Sequence, residues 1–260
     1  MPQGSVLGPI LFCLFYNDAT KLKIKARKNL FADDTSFLVS SFRIDTIANQ
    51  LTLALEKCFK YFFKWKIRAN KDKTECILFT RRRQEVKNFV LVEGEELPWA
   101  SNIKYLGVLL DSKLTFTIHV NSQCNKAIGL MQKLFPLLNN KSKLSINNKK
   151  LIYYLYIRPL LCYACPVWSY TAASNYKKLQ ITQNKFLRFV GSFPRRTPVM
   201  LIHECLDVPA MIPYIYKLTE KFCNACETSQ YSHIRSIVDY NAEDLHYKRY
   251  KHKRFKHLLL

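Results

Sequence analysis

The sequence predicts an α+β fold in which a mixed part of helices and short strands is followed by a mainly helical part. Short apolar runs bounded by turn residues indicate strands in the first part. Apolar residues at steps of three and four indicate amphipathic helices, which dominate from about residue 118. We therefore expect an α+β part over 1–116, a helical part over 117–230 and a basic C-terminal tail over 231–260.

The first element is a helix that ends near Tyr16. Ser5 can cap it, and Pro9 lies near its first turn, where a missing N–H group costs least. Apolar residues surround the helix, so we expect it to be buried. The run 6–16 is similar to a signal-peptide core, but no Lys or Arg precedes it and no Ala-x-Ala site follows. A core helix is therefore the favoured interpretation.

Residues 29–40 predict a hairpin with strands at 30–32 and 37–39 and a turn at 33–36. We expect Phe31, Phe37 and Leu38 to hold both strands in a core.

The rest of the α+β part begins with an amphipathic helix over about 45–66. Its apolar face is formed by Ile47, Leu51, Leu55, Cys58, Phe62 and Trp65. Strand candidates follow at 76–80, 89–92 and 103–110. The last of these is a strand pair or a bent strand around Gly107.

The helical part shows three periodic segments. They are marked by Ala127, Met131, Leu134 and Phe135, by the run 151–165 with a bend at Pro159, and by Leu179, Gln183, Phe186 and Val190. Residues 137–148 are the best linker candidate. The apolar run 151–168 contains an Arg and two Pro residues, so a core helix is favoured over a membrane span.

The charge is the strongest feature of the composition. The chain has 41 Lys and Arg against 19 Asp and Glu, a formal net charge of +22. Such a surface attracts polyanions, and nucleic acid is favoured over an acidic membrane because no lipidation signal is present. The basic run 248–257 is interleaved with aromatic residues, so it either grips phosphates and stacks on bases or is a solvated end.

Nine cysteines indicate a reducing compartment, and we expect no disulfide partner, because a chain of 260 residues with 48% hydrophobic content needs no disulfide scaffold. Cys162 with Cys165 and Cys223 with Cys226 form two C-x₂-C pairs. Zinc uses this spacing, but buried core cysteines produce the same pattern.

Asp33 and Asp34 are adjacent acids at the predicted hairpin tip. Their repulsion is relieved by a nearby cation, and carboxylate oxygens are the hard ligands that Mg²⁺ prefers. Two such ions can activate an attacking hydroxyl and stabilise a leaving phosphate oxygen. A solvated loop is the alternative, since acidic pairs are common in turns.

The segments 2–9 (PQGSVLGP), 17–18 (ND) and 31–34 (FADD) together resemble the palm of reverse transcriptases, most closely those of jockey-like non-LTR retrotransposons. They match motif B followed by motif C, with FADD where YADD is more usual. Further similarities are motif D at 65–70 with 73–74, motif E at 105–109 with Asp111, and a thumb-like region marked by Tyr163, 166–168 and 195–198.

This resemblance implies an Mg²⁺-dependent RNA-directed DNA polymerase with a partial palm, an antiparallel sheet with packed helices, followed by a helical thumb. Asp33 would be a direct metal ligand and Asp34 would support the same site. Gln3 and Gly4 would line the pocket for the template base and the incoming nucleotide. Asp18 is interpreted as a structural polar contact and not as a metal ligand.

The resemblance also assigns roles to Lys73 and to the run Tyr105, Leu106 and Gly107. Lys73 would give a proton to departing pyrophosphate or face the triphosphate, unless it is one surface lysine among many. Tyr105, Leu106 and Gly107 would hold the primer end, with ordinary sheet packing as the alternative for Tyr105.

The implied partners are an RNA template, a DNA primer and dNTPs, and no membrane is expected to be bound. The implied location is inside the cell, in the nucleus. The family also needs a motif A aspartate from an earlier strand, which this chain does not supply. We therefore expect little polymerase activity from the chain alone. A catalytically dead nucleic-acid-binding relic is the alternative function, and an intron-encoded maturase is a third possibility.

Overall fold

The computed structural model describes residues 4–67, 69–80 and 89–238. Gln3 and the basic run 248–257 lie outside these ranges. The chain divides into two units, Met1–Ile103 and Lys104–Leu260.

In the residues that the structure describes, the first unit contains two α-helices and six strands. The order is α1 (Gly8–Tyr16), a 3₁₀ helix (Asn17–Lys21), β1 (Arg27–Phe31), β2 (Asp34–Leu38), α2 (Ile44–Lys64), a 3₁₀ turn (Lys71–Lys73), β3 (Cys76–Ile77), β4 (Val90–Val92), β5 (Glu95–Leu97) and β6 (Trp99–Ala100). Its core lies where the apolar face of α2 packs on Val90 and Val92. The predicted amphipathic helix is therefore confirmed, and it ends at Lys64 instead of residue 66.

The described strands form two-stranded sheets, whereas the resemblance implied an antiparallel sheet with packed helices. Among the described residues, β1 pairs with β2 and β4 with β5 in antiparallel register, whereas β3 and β6 are parallel. Glu93 and Gly94 join β4 to β5 with φ of 49° and 86°. Two successive positive φ values produce the tight turn that suits the twist of a hairpin. The α+β class is confirmed, and the parallel β3–β6 pair departs from the antiparallel sheet that the resemblance implied.

The expectation that α1 is buried was wrong. Tyr16 is its one buried residue, and the exposed apolar side chains include Ile10, Leu14 and Phe15. Tyr16 stacks on Phe62 of α2 with ring centroids 6.0 Å apart. The helix therefore contacts its own unit along one edge. An apolar surface favours burial, but burial also requires a second element of the chain to pack against that surface.

The second unit is mainly helical. It begins within the hairpin of β7 (Asn102–Tyr105) and β8 (Val108–Asp111), because the division of the chain falls within β7. Its helices are α3 (Thr117–Lys133), α4 (Phe135–Leu138), α5 (Ile146–Ile152), α6 (Arg158–Leu161), α7 (Cys165–Trp168), α8 (Ala173–Val190), α9 (Val199–Leu206), α10 (Met211–Glu227) and α11 (Ser232–Arg235). A π-helical turn (Tyr153–Ile157) joins α5 to α6. Residues 103–110 are thus a strand pair, one of the two predicted options.

The core of the second unit confirms the predicted helical pattern of α8. Leu179, Gln183, Phe186 and Val190 are all buried on α8. The run 151–168 is not one helix, but it supplies core residues, including Tyr153 and Trp168, which are fully buried. The linker candidate begins inside α4 and ends inside α5, and Ser145 caps α5 by accepting a hydrogen bond from the Asn148 N–H group.

Within the described parts of the chain, no single helix is long and apolar enough to cross a membrane. The pair α9 and α10 meets the length and composition criteria together, but the two helices are bent by 54°.

Candidate functional site

The acidic pair lies at the tip of the β1–β2 hairpin, which is tighter than the sequence suggested. The strands pair from Arg27 opposite Leu38 to Phe31 opposite Asp34. Ala32 and Asp33 alone form the turn, and Ala32 has a φ of 50°. Asp34 is therefore the first residue of β2 and not part of a four-residue turn. Both carboxylates are exposed.

One face of the hairpin is fixed to its own unit. The Lys28 ammonium donates to the carbonyl oxygens of Ala19, Thr20 and Leu22 at 3.0, 2.5 and 2.8 Å. Burial lowers the pKa of Lys28. Thr35, next to the acidic pair, shares a hydrogen bond of 2.8 Å with the Tyr16 hydroxyl. These contacts join both strands of the hairpin to the end of α1 and to the 3₁₀ helix after it.

The opposite face of the hairpin is exposed, which corrects part of the predicted packing. Phe37 packs on the α2 core as expected. Phe31 and Leu38 are 62% and 49% exposed. Directly opposite residues in an antiparallel pair share a face, so Phe31, Asp34 and Leu38 lie on one open side of the hairpin. The acidic tip is thus held from behind and open in front.

The carboxylate oxygens at the tip are ligands of the type that binds a divalent cation. Two adjacent carboxylates offer oxygen atoms, which Mg²⁺ prefers, and Mg²⁺ keeps waters or phosphate oxygens in its remaining positions. Among the described residues, no group of three or more His, Cys, Asp or Glu side chains is placed to hold a metal ion. Asp33 and Asp34 are therefore a pair without a third acid in the described part of the chain.

Gly4 and Lys73 lie in the same unit as the acidic pair. Gly4 has a φ of 87° and is exposed, a conformation that strongly favours glycine. Lys73 ends the 3₁₀ turn Lys71–Lys73 and is exposed, and within the described ranges its ammonium forms no ion pair. The predicted roles of Gly4 and Lys73 remain predictions, as does that of Gln3, which the structure does not describe.

Lys71, two residues before Lys73, has a structural role that the sequence did not reveal. Its ammonium lies 2.9 Å from Glu93 Oε2 and 3.6 Å from Glu95 Oε1, and the hydrogen bond to Glu93 raises the pKa of Lys71. Asp18, in the 3₁₀ helix after α1, contacts Lys21 at 2.7 Å, a polar contact of the kind expected for it.

The segment Tyr105, Leu106 and Gly107 forms the tip of the β7–β8 hairpin. Leu106 and Gly107 have φ values of 46° and 82°, and Tyr105 is half-buried. The Tyr163 hydroxyl donates to the Leu106 carbonyl oxygen at 2.9 Å. A Cβ atom on Gly107 would lie 3.0 Å from the ring of Tyr163. Tyr163 therefore both bonds to the tip and limits its size.

Two more residues hold this hairpin, and sequence reasoning missed the first. His119 Nδ1 accepts a hydrogen bond from the Leu109 N–H group at 3.3 Å. Burial lowers the pKa of His119, so the neutral ring that this bond needs is favoured. Trp168 Nε1 donates to the Tyr163 carbonyl oxygen at 2.8 Å. No local pattern marks His119, because its partner lies in another element.

The C-x₂-C pairs lie in the core of the second unit. Cys162, Cys165, Cys223 and Cys226 are buried, and all nine cysteines are free. Burial raises the pKa of Cys162 to about 12 and that of Cys165 to about 11. Zinc binds the thiolate form, so the raised pKa values of Cys162 and Cys165 favour the core interpretation for that pair.

Comparisons with known proteins agree with the motifs. Residues 1–110 match the family described as reverse transcriptase (RNA-dependent DNA polymerase). The chain is 31% identical over 234 residues to a probable RNA-directed DNA polymerase from transposon X-element of Drosophila melanogaster, which is 87% of this chain and 25% of that relative. It is 30% identical over 229 residues to the RNA-directed DNA polymerase from mobile element jockey of Drosophila funebris, 85% of this chain and 25% of the relative.

The chain thus spans about a quarter of the length of these curated relatives. No solved structure matches it significantly.

Proposed function

Because the chain belongs to the reverse transcriptase family of non-LTR retrotransposons, we propose that it forms part of an RNA-directed DNA polymerase that adds dNTPs to a primer along an RNA template. The β1–β2 hairpin carries this proposal. It presents Asp33 and Asp34 to solvent while Lys28, Thr35 and Phe37 fix its other face. Reacting groups must be held rigidly, and a braced hairpin does this better than a mobile loop.

Asp33 and Asp34 would hold Mg²⁺ at the hairpin tip. The bound ion would neutralise developing phosphate charge and favour ionisation of the primer hydroxyl. The protein side chains supply the ligands and their position. Gln3 and Gly4 would line the pocket for template base and nucleotide, and Lys73 would face the triphosphate.

The tip formed by Tyr105, Leu106 and Gly107 would hold the primer end. Three hydrogen bonds support this role. Tyr163 and His119 bond to the hairpin, and Trp168 bonds to Tyr163, so the tip is fixed to the helical part of its own unit. In this proposal residues 1–116 are palm, 117–230 are a thumb-like region, and the segment from 231 is a basic tail.

The chain by itself should polymerise slowly or not at all. A two-ion site needs more negative ligands than one acidic pair supplies, and no further acid joins Asp33 and Asp34 among the described residues. This observation favours a second candidate function, nucleic-acid binding without catalysis, for which the net charge of +22 is suited.

A primer-extension assay tests both functions. The chain alone is compared with the chain joined to the part of a jockey-like relative that precedes the matched segment, on a primed RNA template with Mg²⁺ and labelled dNTP. We expect the joined protein to extend the primer and the unjoined chain not to extend it. Asp33→Ala should abolish extension, whereas Asp45→Ala, which removes an exposed carboxylate paired with Arg43 in the same unit, should not.

Robust extension by the unjoined chain that is lost in Asp33→Ala would overturn the expectation of inactivity. Undiminished extension by the joined Asp33→Ala protein would overturn the catalytic assignment of the hairpin.

A further inference from the structure

The loop between α8 and α9, residues 191–198, contains a motif that the proposed polymerase function does not use. Thr197 is followed by Pro198, and this is the one position in the chain of 260 residues where Ser or Thr precedes Pro. A hydroxyl residue followed by Pro is the dipeptide that proline-directed protein kinases modify. Pro also disfavours helical backbone in the residue before it, so Thr197 stays in the loop while α9 begins at Val199.

The hydroxyl group of Thr197 is free to react. Its Oγ1 atom makes no hydrogen bond within the described chain and is not buried. Arg195, Arg196 and Pro198 beside it are exposed. The backbone of Thr197 is held, by contrast, because its N–H group donates to the Pro194 carbonyl oxygen at 3.1 Å. A change at the hydroxyl group therefore leaves the hydrogen bonds of the loop backbone in place.

A third arginine, Arg188 of α8, lies against this loop. Its Nη1 donates to the Pro194 carbonyl oxygen at 3.0 Å, and its Nη2 donates to the carbonyl oxygen of Thr197 itself at 2.9 Å. None of the three arginines has a carboxylate partner in the part of the chain that the structure describes, where every ion pair lies in the first unit. Residues 112–203 contain no Asp or Glu, so the surroundings of Thr197 favour a negative charge.

Helix α9, which follows the loop directly, begins without a side-chain acceptor. Its N-cap residue is Pro198, and no side-chain cap hydrogen bond is formed there. The first N–H groups of a helix have no partner inside the helix, and a negative charge close to them is stabilising. The three arginines and the start of α9 therefore supply donors for a phosphate group on Thr197.

We propose that Thr197 is a phosphorylation site for a proline-directed protein kinase, and that Arg188, Arg195 and Arg196 hold the resulting phosphate. ATP supplies the phosphoryl group. A bond forms between Thr197 Oγ1 and the terminal phosphorus, the bond from that phosphorus to the departing ADP breaks, and the hydroxyl proton passes to a base of the kinase. The phosphate carries a charge of about −1.5 to −2, which offsets most of the charge of two arginines and orders the loop.

Modification of the folded chain is the first test. The full chain and a synthetic peptide of residues 189–202 are incubated with a recombinant proline-directed kinase and ATP, and mass spectrometry identifies the modified residue. We expect phosphate on Thr197 in both, and none on Ser192, an exposed hydroxyl residue of the same loop that no Pro follows. Thr197→Ser should keep the modification, and Pro198→Ala should lose it although the hydroxyl group remains.

Three outcomes of this assay would overturn the proposal. An unmodified peptide would show that the kinase does not accept the sequence, and a modified peptide beside an unmodified chain would show that the folded loop is closed to it. Undiminished modification of Pro198→Ala would exclude a proline-directed enzyme. The site uses neither Asp33 nor the polymerase reaction, so a failed catalytic assignment of the hairpin leaves these expectations unchanged.

A pH titration of the phosphorylated chain, followed by phosphorus NMR, tests whether arginines hold the phosphate. The second pKa of an unpaired phosphothreonine is about 6, and a single cation about 4 Å away lowers it by roughly 0.7 even in water-like surroundings. We therefore expect a lower phosphate pKa in the folded wild-type chain than in the same chain unfolded in urea. Equal values in the two states would refute the arginine site without any variant.

Two charge-matched double variants then identify the arginines. Arg195→Gln with Arg196→Gln should raise the phosphate pKa of the folded chain toward the value in urea. Lys177→Gln with Lys185→Gln, which removes two exposed charges from α8, should leave it unchanged. The same rise in both variants would show a general effect of net charge and would overturn the assignment of the loop arginines.

Discussion

The replacement Gly107→Ala tests how the β7–β8 tip is held. Two costs act on the new methyl group. An alanine at φ of 82° destabilises the folded state by about 1–2 kcal/mol. Alanine also lowers the conformational entropy of the unfolded chain, which offsets up to about 1 kcal/mol of this strain. The Cβ atom would also lie 3.0 Å from the Tyr163 ring and hydroxyl, so the ring must shift and its bond to Leu106 is weakened, for about 1 kcal/mol more.

Gly94→Ala is the matched control. Gly94 has nearly the same φ, 86°, but a Cβ atom added there would meet nothing within 4 Å, so this variant should show the backbone cost alone. Hydrogen–deuterium exchange with mass spectrometry gives the opening free energy of each hairpin separately. We expect Gly107→Ala to exceed Gly94→Ala by about 1 kcal/mol, roughly a fivefold change in exchange rate.

The double variant with Tyr163→Ala isolates the ring. Tyr163 is 46% exposed, so truncation should be tolerated, and the Trp168 bond goes to its backbone oxygen and survives. In this background the excess cost of Gly107→Ala should vanish. An excess that persists without the ring would refute the steric argument, and so would equal costs at Gly94 and Gly107 in the wild-type chain.

Three further predictions concern the same two units. Asp111→Ala should lower the free energy of unfolding by about 3 kcal/mol in urea denaturation, because its carboxylate accepts from three backbone N–H groups within 113–116; an unchanged midpoint would contradict this. Burial lowers the pKa of His119, so this histidine binds a proton more readily in the unfolded chain than in the folded one. The free energy of unfolding should therefore fall as pH drops below about 6.5, by up to about 1.4 kcal/mol per pH unit. His119→Gln should flatten that dependence in denaturation series at several pH values. Lys28→Ala should speed amide exchange in 27–38 by removing three hydrogen bonds, whereas exposed Lys25→Ala should not; equal effects would show that these bonds contribute nothing.

Local pattern was enough to predict much of the fold. The spacing of Ile47, Leu51 and Leu55 indicated α2, and the spacing of Leu179 and Phe186 indicated α8. A helix presents one face to a core, and that periodicity is written into consecutive residues.

Other features could not be predicted because they depend on neighbours distant in the chain. The apolar helix α1 is largely exposed because its own unit covers only one edge of it. Lys71, and not Lys73, meets Glu93 because a hairpin returns beside it. Tyr163 bonds to Leu106 across 57 residues.

The sequence by itself determined the family motifs, the α+β class, the positions of the main helices and the adjacency of Asp33 and Asp34. The tertiary structure decided that Asp34 begins a strand, that one face of the hairpin is open, and that the Tyr163 hydroxyl reaches the Leu106 carbonyl oxygen. The physical reason is that periodicity and turn chemistry act within a few residues, whereas burial and hydrogen bonding between elements depend on what the folded chain places alongside.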